Sequence, residues 1–311
     1  MIEELQARFQ AGDRRALARA ITLVESGHPA GAALLKALRG GRRAKVVGLT
    51  GSPGSGKSTL ADRLIEEARR AGETVAVLAV DPSSPFTGGA VLGDRIRMMR
   101  HYQDEGVFIR SMASRGALGG LAGATVAALS LLEAFGFDWV LIETVGVGQS
   151  EVDIARVADT TVLVLTPASG DAVQAFKAGV MEIADILVVN KFDLPGGPRL
   201  VEELKATLEL APPHPTGWQV PILTTVASRG EGAKEVLEAI RAHRAHLEEK
   251  GVLEPHRLER ARFEIQAVIQ EWGRRLAEEA GPLLRQVEAG EKSPEEAARE
   301  LLKGPEPPAS A

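Results

Sequence analysis

One short segment near the start of the chain has the residue types and spacing needed to hold phosphate groups. Residues 51–58 read Gly-Ser-Pro-Gly-Ser-Gly-Lys-Ser and match the pattern G-x-x-x-x-G-K-[ST] in full. Glycines let backbone N–H groups converge on phosphate oxygens, the lysine adds a positive charge, and the final hydroxyl can ligate Mg²⁺. An apolar run, Val46–Leu49, precedes the motif and helical sequence over Leu60–Ala71 follows it, which is the strand–loop–helix setting that this motif requires. The residues expected to bind a nucleoside triphosphate are Gly51, Ser52, Pro53, Gly54, Ser55, Gly56, Lys57, Ser58 and Thr59.

A second motif indicates which base the nucleotide carries. Residues 190–193 read Asn-Lys-Phe-Asp and follow the apolar run that ends at Val189, which gives the N-K-x-D guanine signature. The carboxylate of Asp193 can accept the N1–H and 2-amino hydrogens of guanine, two donors that adenine does not offer. The stem of Lys191 can cover the base and ribose. Ala227 and Ser228 stand where the last base-contacting loop would offer backbone N–H groups to guanine O6. GTP is therefore expected rather than ATP. The residues expected at the base are Asn190, Lys191, Asp193, Ala227 and Ser228.

Carboxylates at the ends of apolar runs predict a magnesium site. Asp81 ends the run from Val75, and Asp94 lies in the candidate switch loop that follows. Glu143 follows the run Trp139–Ile142 and begins Glu-Thr-Val-Gly, which resembles the D-x-x-G motif of GTPases with Glu in place of Asp. Carboxyl ends of parallel strands share one edge of a sheet, so these carboxylates and the Ser58 hydroxyl could form a Mg²⁺ shell. A turn or helix-capping role is the alternative for Asp81. We expect Lys57, Asp94 and Glu143 to be catalytic.

The loop after Glu143 is a candidate switch. The N–H of Gly146 could meet the γ-phosphate, which would make the order of the loop depend on that phosphate. Val147 stands where many small GTPases carry the glutamine that orients the attacking water. Gln149 and Gln174 are nearby candidates for that task, and the sequence assigns it to neither.

The elements that must position these residues alternate along the chain. Near-continuous apolar runs, typical of strands buried on both faces, alternate with helical stretches. This predicts an α/β fold with a doubly wound, mostly parallel sheet. The uncharged stretch Gly116–Leu132 reads as a buried helix rather than a membrane span. We expect a helical extension over residues 1–43, a P-loop GTPase domain over 44–247, and a helical arm with a disordered tail over 248–311. The predicted strands lie at Val46–Leu49, Val75–Val80, Trp139–Ile142, Thr161–Leu165, Ile186–Val189 and Ile222–Leu223.

Composition excludes several classes of function. The 311 residues include no cysteine, which excludes disulfides, iron–sulfur clusters, thiolate zinc sites and cysteine nucleophiles. The net charge of −5 gives no reason to expect nucleic acid or a membrane surface as partner. The acidic beginning of the chain, Met1–Leu5, lacks the apolar core of a secretory signal, so a cytoplasmic location is expected.

Four longer segments resemble one family. They read Asp-Pro-Ser-Ser at 81–84, Gly-Gly-Ala-Val-Leu-Gly-Asp at 88–94, Ser-Arg-Gly-Ala-Leu-Gly-Gly at 114–120, and Glu-Thr-Val-Gly-Val-Gly-Gln-Ser-Glu at 143–151. With the two nucleotide motifs they resemble the MeaB/MMAA chaperones, which are also called ArgK or LAO/AO transport system kinases. The resemblance covers most of the chain. One departure is Phe192-Asp193-Leu194, where relatives more often have a small residue and then Gly after the Asp.

The resemblance implies a function for the chain. It implies a GTPase of the SIMIBI class, shared with signal-recognition and metal-insertion GTPases, that forms a homodimer through its C-terminal arm. The implied partner is adenosylcobalamin-dependent methylmalonyl-CoA mutase or a related acyl-CoA mutase, whose cofactor loading, protection and reactivation the GTPase would gate. By motif match Lys57, Ser58, Asp81, Asp94 and Glu143 would contact nucleotide and Mg²⁺. Gln174 and Lys177 would belong to an additional switch loop.

Three related functions share parts of this pattern. A nickel-insertion GTPase normally needs Cys or His ligands, and the six histidines of this chain are scattered; the pair His243 and His246 reads as two exposed residues on a solvated helix face. A signal-recognition GTPase would need a Met-rich, RNA-binding domain, which five methionines and an acidic pI do not support. A kinase or ATPase of arginine/ornithine (LAO/AO) transport stays open as an alternative, and a metal-insertion GTPase is kept as a weaker one.

Overall fold

The computed structural model describes residues 2–38, 43–81, 99–113, 123–144, 150–167 and 180–302. Its centre is a sheet of seven strands: β1 (Lys45–Thr50), β2 (Val75–Asp81), β3 (Val107–Ala113), β4 (Trp139–Thr144), β5 (Thr160–Leu165), β6 (Ile186–Val189) and β7 (Ile222–Thr224). The strand order is β3-β2-β4-β1-β5-β6-β7, and every neighbouring pair is parallel. The prediction of a doubly wound α/β fold with a parallel sheet is confirmed.

Eleven α-helices surround the sheet within the described residues. They are α1 (Ile2–Gln10), α2 (Arg14–Glu25), α3 (Pro29–Leu38), α4 (Lys57–Arg70), α5 (Gly123–Phe135), α6 (Ser150–Val157), α7 (Gly197–Leu210), α8 (Ala233–Glu249), α9 (Leu253–Glu278), α10 (Gly281–Glu288) and α11 (Pro294–Leu302). Alternate residues of the central strands enter different cores. Val46 packs with side chains of α2 and α5, whereas its neighbour Val47 packs with side chains of α4 and α8. Both faces of the sheet are therefore covered, which explains its near-continuous apolar strands.

The N-terminal helices cover one edge of the sheet. The guanidinium of Arg14 donates to the backbone oxygens of Asp104 and Val107, at the start of the edge strand β3. Arg110, within β3, pairs with Glu25 at 2.7 Å. An uncovered edge strand would expose unpaired backbone groups to other chains, and this helical layer restricts access to that edge.

The structure also corrects the predicted element list. Strand β3 is absent from the prediction because the polar pair Arg110 and Ser111 interrupts its apolar character. The buried helix predicted from Gly116 is present as α5, which begins at Gly123; residues 114–122 lie outside the described residues. In the part of the chain that the structure describes, no helix has both the length and the apolar character that a bilayer crossing requires.

Helix α9 is 26 residues long and has one face on the sheet domain. His256 contacts the backbone oxygen of Ala158 at 2.6 Å, and Arg260 pairs with Glu133 of α5 at 2.7 Å. Phe263 packs against the same core as the N-terminal helices. The opposite face of α9 leaves large apolar side chains exposed.

Candidate functional site

The loop between β1 and α4 requires glycine at two points. Gly51 has φ +135° and Gly56 has φ +94°, both in the region that favours glycine. A Cβ added at Gly51 would lie 2.1 Å from the backbone oxygen of Val164, and one at Gly56 would lie 2.2 Å from the side-chain nitrogen of Asn190. The loop is therefore packed tightly against β5 and against the N-K-x-D segment, with no space for larger residues.

Lys57 turns back over this loop. Its ammonium donates to the backbone oxygen of Gly51 at 2.5 Å and to that of Ser52 at 3.0 Å. The side chain is buried, so the ammonium charge lies at the N-terminus of α4, close to the loop backbone. This is the position in which a lysine of this motif can also reach phosphate oxygens.

Two of the predicted metal ligands meet at the carboxyl edge of the sheet. The Ser58 hydroxyl donates to a carboxylate oxygen of Glu143 at 2.6 Å, and both residues are buried. They meet because β1 and β4 are parallel neighbours, with Leu49 opposite Glu143. The backbone of Asp81 ends β2 on the other side of β4, at the same edge of the sheet. The Ser58 hydroxyl and the Glu143 carboxylate thus lie together, and the strand that ends at Asp81 ends beside them.

Asn190 joins three loops through its side-chain amide. Its oxygen accepts from the Ala227 backbone N–H at 3.1 Å and from the Thr225 hydroxyl at 3.0 Å. Its nitrogen donates to the backbone oxygen of Ser55 at 2.8 Å. These contacts occupy most of the hydrogen-bonding capacity of the amide. The Ala227 N–H, expected from the sequence to face guanine O6, donates to the Asn190 oxygen in this structure.

The lysine and the aspartate of the N-K-x-D segment lie at the surface. Lys191 is the only non-glycine residue among those described with a positive φ, +55°. That conformation lets its ammonium reach the backbone oxygen of Gly54 at 2.7 Å. The Asp193 carboxylate lies 3.0 Å from a guanidinium nitrogen of Arg229.

Several predicted site residues cannot be placed. The side chain of Asp81 is not described, although its backbone is. The following residues lie outside the described residues: Asp94, Gly146, Val147, Gln149, Gln174 and Lys177.

Helix α4 contributes two site-supporting residues that the sequence reasoning missed. Arg63 donates to the backbone oxygens of Ala227 and Ser228, both at 3.0 Å, and so ties α4 to the predicted base loop. Asp62, one helical turn after Ser58, contacts His101 Nε2 at 2.8 Å and pairs with Arg100. Asp62 could have been recognised from the sequence, because it is a charged residue within an otherwise apolar helical stripe.

The ionisation of Asp62 follows from these contacts. Burial opposes the charged form of the carboxylate, but hydrogen bonds from His101 and Arg100 outweigh it and hold the pKa of Asp62 below its usual value. Asp62 is therefore a charged anchor for the turn at residues 99–101.

The prediction that His243 is exposed is wrong. His243 is 1% exposed because it follows Val236 and Ile240 on the face of α8 that packs against the sheet. Its Nδ1 lies 2.9 Å from the Thr160 hydroxyl, and its Nε2 lies 3.3 Å from Asp185. Burial lowers the pKa of His243, and the nearby carboxylate only partly opposes this.

His246 is half-buried rather than exposed. Its Nε2 lies 3.0 Å from the backbone oxygen of Thr216, and its ring contacts that of Trp218. Among the described residues, no three His, Asp or Glu side chains are arranged to hold a metal ion.

Comparison with known proteins shows the same combination of motifs over most of the chain. The family model "Methylmalonyl Co-A mutase-associated GTPase MeaB" matches residues 17–280. A protein of Pyrococcus horikoshii that is named as a GTPase is 51% identical over 293 residues, which cover 93% of this chain and 89% of that protein. GTPase ArgK of Escherichia coli is 38% identical over 281 residues, which cover 88% of this chain and 82% of that protein.

Two further relatives extend this comparison. The mitochondrial methylmalonic aciduria type A homolog of Caenorhabditis elegans is 34% identical, with 97% of this chain and 82% of that protein covered. The crystal structure of an LAO/AO transport system kinase superposes with a TM-score of 0.70 at 29% identity, covering 97% of this chain and 96% of the other. The family match includes the P-loop, the N-K-x-D segment and Glu143. The chain therefore belongs to the MeaB family and is a GTPase.

Proposed function

We propose that this GTPase binds GTP with Mg²⁺ at the carboxyl edge of the sheet and serves as the chaperone of a cobalamin-dependent acyl-CoA mutase. The observation that supports the site most strongly is the 2.6 Å contact between the Ser58 hydroxyl and Glu143. It joins the end of the P-loop to the strand that leads into the candidate switch. A hydroxyl and a carboxylate are the oxygen ligands that Mg²⁺ prefers, so the residues present fit that ion.

The chain's own residues divide the work at the phosphates. Ser58 and Glu143 would hold Mg²⁺, Glu143 through a water, with Asp81 and Asp94 completing the shell. Bound Mg²⁺ would neutralise charge on the β- and γ-phosphates. Lys57, now bonded to loop oxygens, would exchange those bonds for phosphate oxygens. The backbone N–H groups of residues 51–59 would face the phosphates at the N-terminus of α4.

The base would lie between the N-K-x-D segment and the loop at Ala227–Arg229. Asp193 would accept two guanine hydrogens, and the Lys191 stem would cover the base. Asn190 would act as a brace between loops, since its amide is already bonded to Ser55, Thr225 and Ala227. The backbone N–H groups of Ala227 and Ser228 would face guanine O6, that of Ala227 in exchange for its bond to Asn190.

The base site is tested by exchanging its acceptor. Asp193→Asn should weaken GTP binding by about 2 kcal/mol or more and improve binding of xanthosine triphosphate, whose 2-oxo group suits an amide donor. Calorimetric titration with GTP, ATP and xanthosine triphosphate measures this. Equal wild-type affinity for ATP and GTP would contradict the base assignment.

The mutase role is supported by the relatives. The matching family model is named for association with methylmalonyl-CoA mutase, and the C. elegans relative is named for methylmalonic aciduria. In this proposal the mutase recognises the GTP-bound state of the GTPase. Hydrolysis of GTP then allows adenosylcobalamin to be loaded into the mutase or the mutase to be reactivated. The segments with Gly146, Gln149, Gln174 and Lys177 would be the switches. The domains would be the extension at 1–43, the GTPase domain at 44–247 and the arm at 248–311.

The experiment that tests this role uses purified methylmalonyl-CoA mutase. Hydrolysis by the isolated chain should be slow, about 10⁻² s⁻¹ or below, and should accelerate with the mutase, because a partner can order the groups that position the water. Mutase affinity should be higher with a non-hydrolysable GTP analogue than with GDP. Fast hydrolysis alone and nucleotide-independent mutase binding would contradict the proposal. Phosphoryl transfer from GTP to a transport protein would instead favour the kinase alternative.

The exposed face of α9 supports a homodimer as part of this function. Leu258, Ile265 and Trp272 recur every seven residues on that face and are 70%, 61% and 50% exposed. Side chains at this spacing form one stripe along a helix, as in a coiled coil. We therefore assign this stripe to a second copy of the chain.

The dimer is tested by placing a charge in the stripe. Ile265→Glu should convert a dimer to a monomer in analytical ultracentrifugation. Leu210→Glu is the matched control, because Leu210 is 88% exposed on α7, away from the stripe. A wild-type monomer at all concentrations, or an Ile265→Glu dimer as tight as wild type, would contradict this assignment.

A further inference from the structure

The carboxylate of Asp193 has a cationic neighbour that the guanine motif does not include. A guanidinium nitrogen of Arg229 lies 3.0 Å from one Asp193 oxygen, and the Arg229 Nε lies 3.5 Å from Glu231. Asp193 and Arg229 are 42% and 56% exposed, so neither is fixed by burial. Their pairing is therefore the interaction that restricts the Asp193 side chain among the described contacts.

The backbone that carries Arg229 is held from several sides. Its N–H donates to the Val226 oxygen at 2.9 Å, and Val226 in turn pairs with Glu231 across an isolated antiparallel bridge. Arg63 of the P-loop helix bonds the two preceding backbone oxygens. Arg229 thus extends from a loop that is tied to the P-loop helix, and it can impose that position on its partner.

We propose that Arg229 is a positioning residue for guanine recognition, which holds the Asp193 carboxylate so that both oxygens can accept from the base. This inference rests on the proposed base site. An ionised carboxylate has about four acceptor sites, so one bond from Arg229 leaves room for the N1–H and the 2-amino group. Without Arg229 an exposed Asp side chain is free to rotate, and binding must then supply the cost of ordering it.

The test compares GDP with inosine diphosphate, which lacks the 2-amino group. In the ratio of their affinities the phosphate and Mg²⁺ contacts cancel, so the ratio reports the contact between the protein and the 2-amino group. Arg229→Ala should lower the preference for GDP by about two- to fivefold, the range expected for an exposed ion pair. Arg229→Lys should restore part of it. Arg199→Ala is the matched control, since Arg199 is an exposed arginine paired with Glu203 on α7 and should leave the ratio unchanged.

The Asp193→Ala variant distinguishes a failure of the Arg229 inference from a failure of the proposed base site. That variant should remove the preference for GDP, and adding Arg229→Ala to it should change nothing more. If Arg229→Ala leaves the ratio intact while Asp193→Ala lowers it, Arg229 has no positioning role and the base site stands. If Arg229→Ala raises GDP affinity, the pair competes with guanine and the inference is wrong. If Asp193→Ala leaves the ratio intact, the base site itself is wrong.

Discussion

The two edges of the sheet bury polar side chains in different ways. At the carboxyl edge, Asn190 and Lys57 bond to loop backbone, and Ser58 bonds to Glu143 between the P-loop and a switch. At the amino edge, buried or half-buried aspartates accept hydrogen bonds from the backbone at the starts of neighbouring strands. The hydrogen bonds at the carboxyl edge join loops whose polar groups a ligand can also bind. Those at the amino edge join strands to one another.

The amino edge follows a repeated pattern. An aspartate directly precedes each of β4, β5 and β6, and its carboxylate accepts a backbone N–H at the start of an adjacent strand: Asp138 from Thr74 at 2.8 Å, Asp159 from Val46 at 3.2 Å, and Asp185 from Thr161 at 2.7 Å. Each bond satisfies a donor at the end of the ladder and helps to set the register of two strands. The aspartates at this edge are therefore structural, and the buried polar groups at the carboxyl edge are candidates for function.

The largest expected effect separates activity from stability at the carboxyl edge. Lys57→Ala should lower the rate of GTP hydrolysis by about 10³-fold, because a buried cation at the phosphates stabilises charge that develops in the transition state. Its thermal unfolding temperature should change much less than its activity, since the described bonds that Lys57→Ala removes are to oxygens of a loop. Single-turnover hydrolysis and calorimetric unfolding measure the two quantities. A collapse of stability together with activity would contradict the comparison of the edges.

The converse is expected for Asp159 at the amino edge. Arg244 lies 2.6 Å from its carboxylate, and the side chain is 2% exposed. Asp159→Ala removes the buried partner of Arg244 and, among the described residues, leaves that largely buried guanidinium only the 57% exposed Glu248. The variant should therefore lower the free energy of unfolding by about 3 kcal/mol. Denaturant titration checks this. GTP hydrolysis at a temperature where the variant is folded should remain within about twofold of wild type, and a specific loss of activity would contradict the structural assignment.

A smaller effect tests whether Ser58 and Glu143 act as one unit. Ser58→Ala and Glu143→Gln should each weaken the dependence of hydrolysis on Mg²⁺ and lower the rate by about 10–100-fold, by loss of an ordered charge-stabilising contact. Since both would act through the same ion, the double variant should be little worse than the more damaged single variant. Multiplicative losses, or unchanged Mg²⁺ titration curves, would remove the pair from the metal shell.

The sequence predicts the carboxyl edge better than the amino edge, for a physical reason. Phosphate and guanine impose fixed residue types at fixed spacing, so Gly51–Ser58 and Asn190–Asp193 are recognisable without coordinates. The bracing role of Asn190 depends on the approach of three loops and is not encoded in any one of them.

At the amino edge the partners come from distant elements. Asp159 meets Arg244 of α8, and His243 meets Thr160, across 85 and 83 residues of sequence. Spacing along α8 does place His243 on the buried face with Val236 and Ile240, a signal that the prediction of an exposed residue overlooked. Strand β3 is missed because an edge strand that pairs Arg110 with α2 carries no continuous apolar run.

The smallest expected effect is on the pH dependence of the free energy of unfolding at the amino edge. His243 is buried and its pKa is lowered, so in the folded state it stays neutral at pH values where the unfolded chain, with a pKa of 6.5, already binds a proton. The unfolded state then binds more protons, and stability must fall as pH falls below about 6.5 toward the lowered folded-state pKa. The loss is about 1.4 kcal/mol for each unit by which the pKa is lowered.

His243→Gln should therefore flatten the pH dependence of the free energy of unfolding between about pH 7 and pH 5, while guanine nucleotide affinity stays unchanged. Trp218→Phe is the matched control. The indole N–H of Trp218 donates to the backbone oxygen of Asp185 at 2.8 Å, so this variant removes a neighbouring hydrogen bond but no titrating group. It should lower stability by about 1 kcal/mol with the slope against pH retained. An unaltered slope in His243→Gln would show that His243 makes no proton-linked contribution to stability.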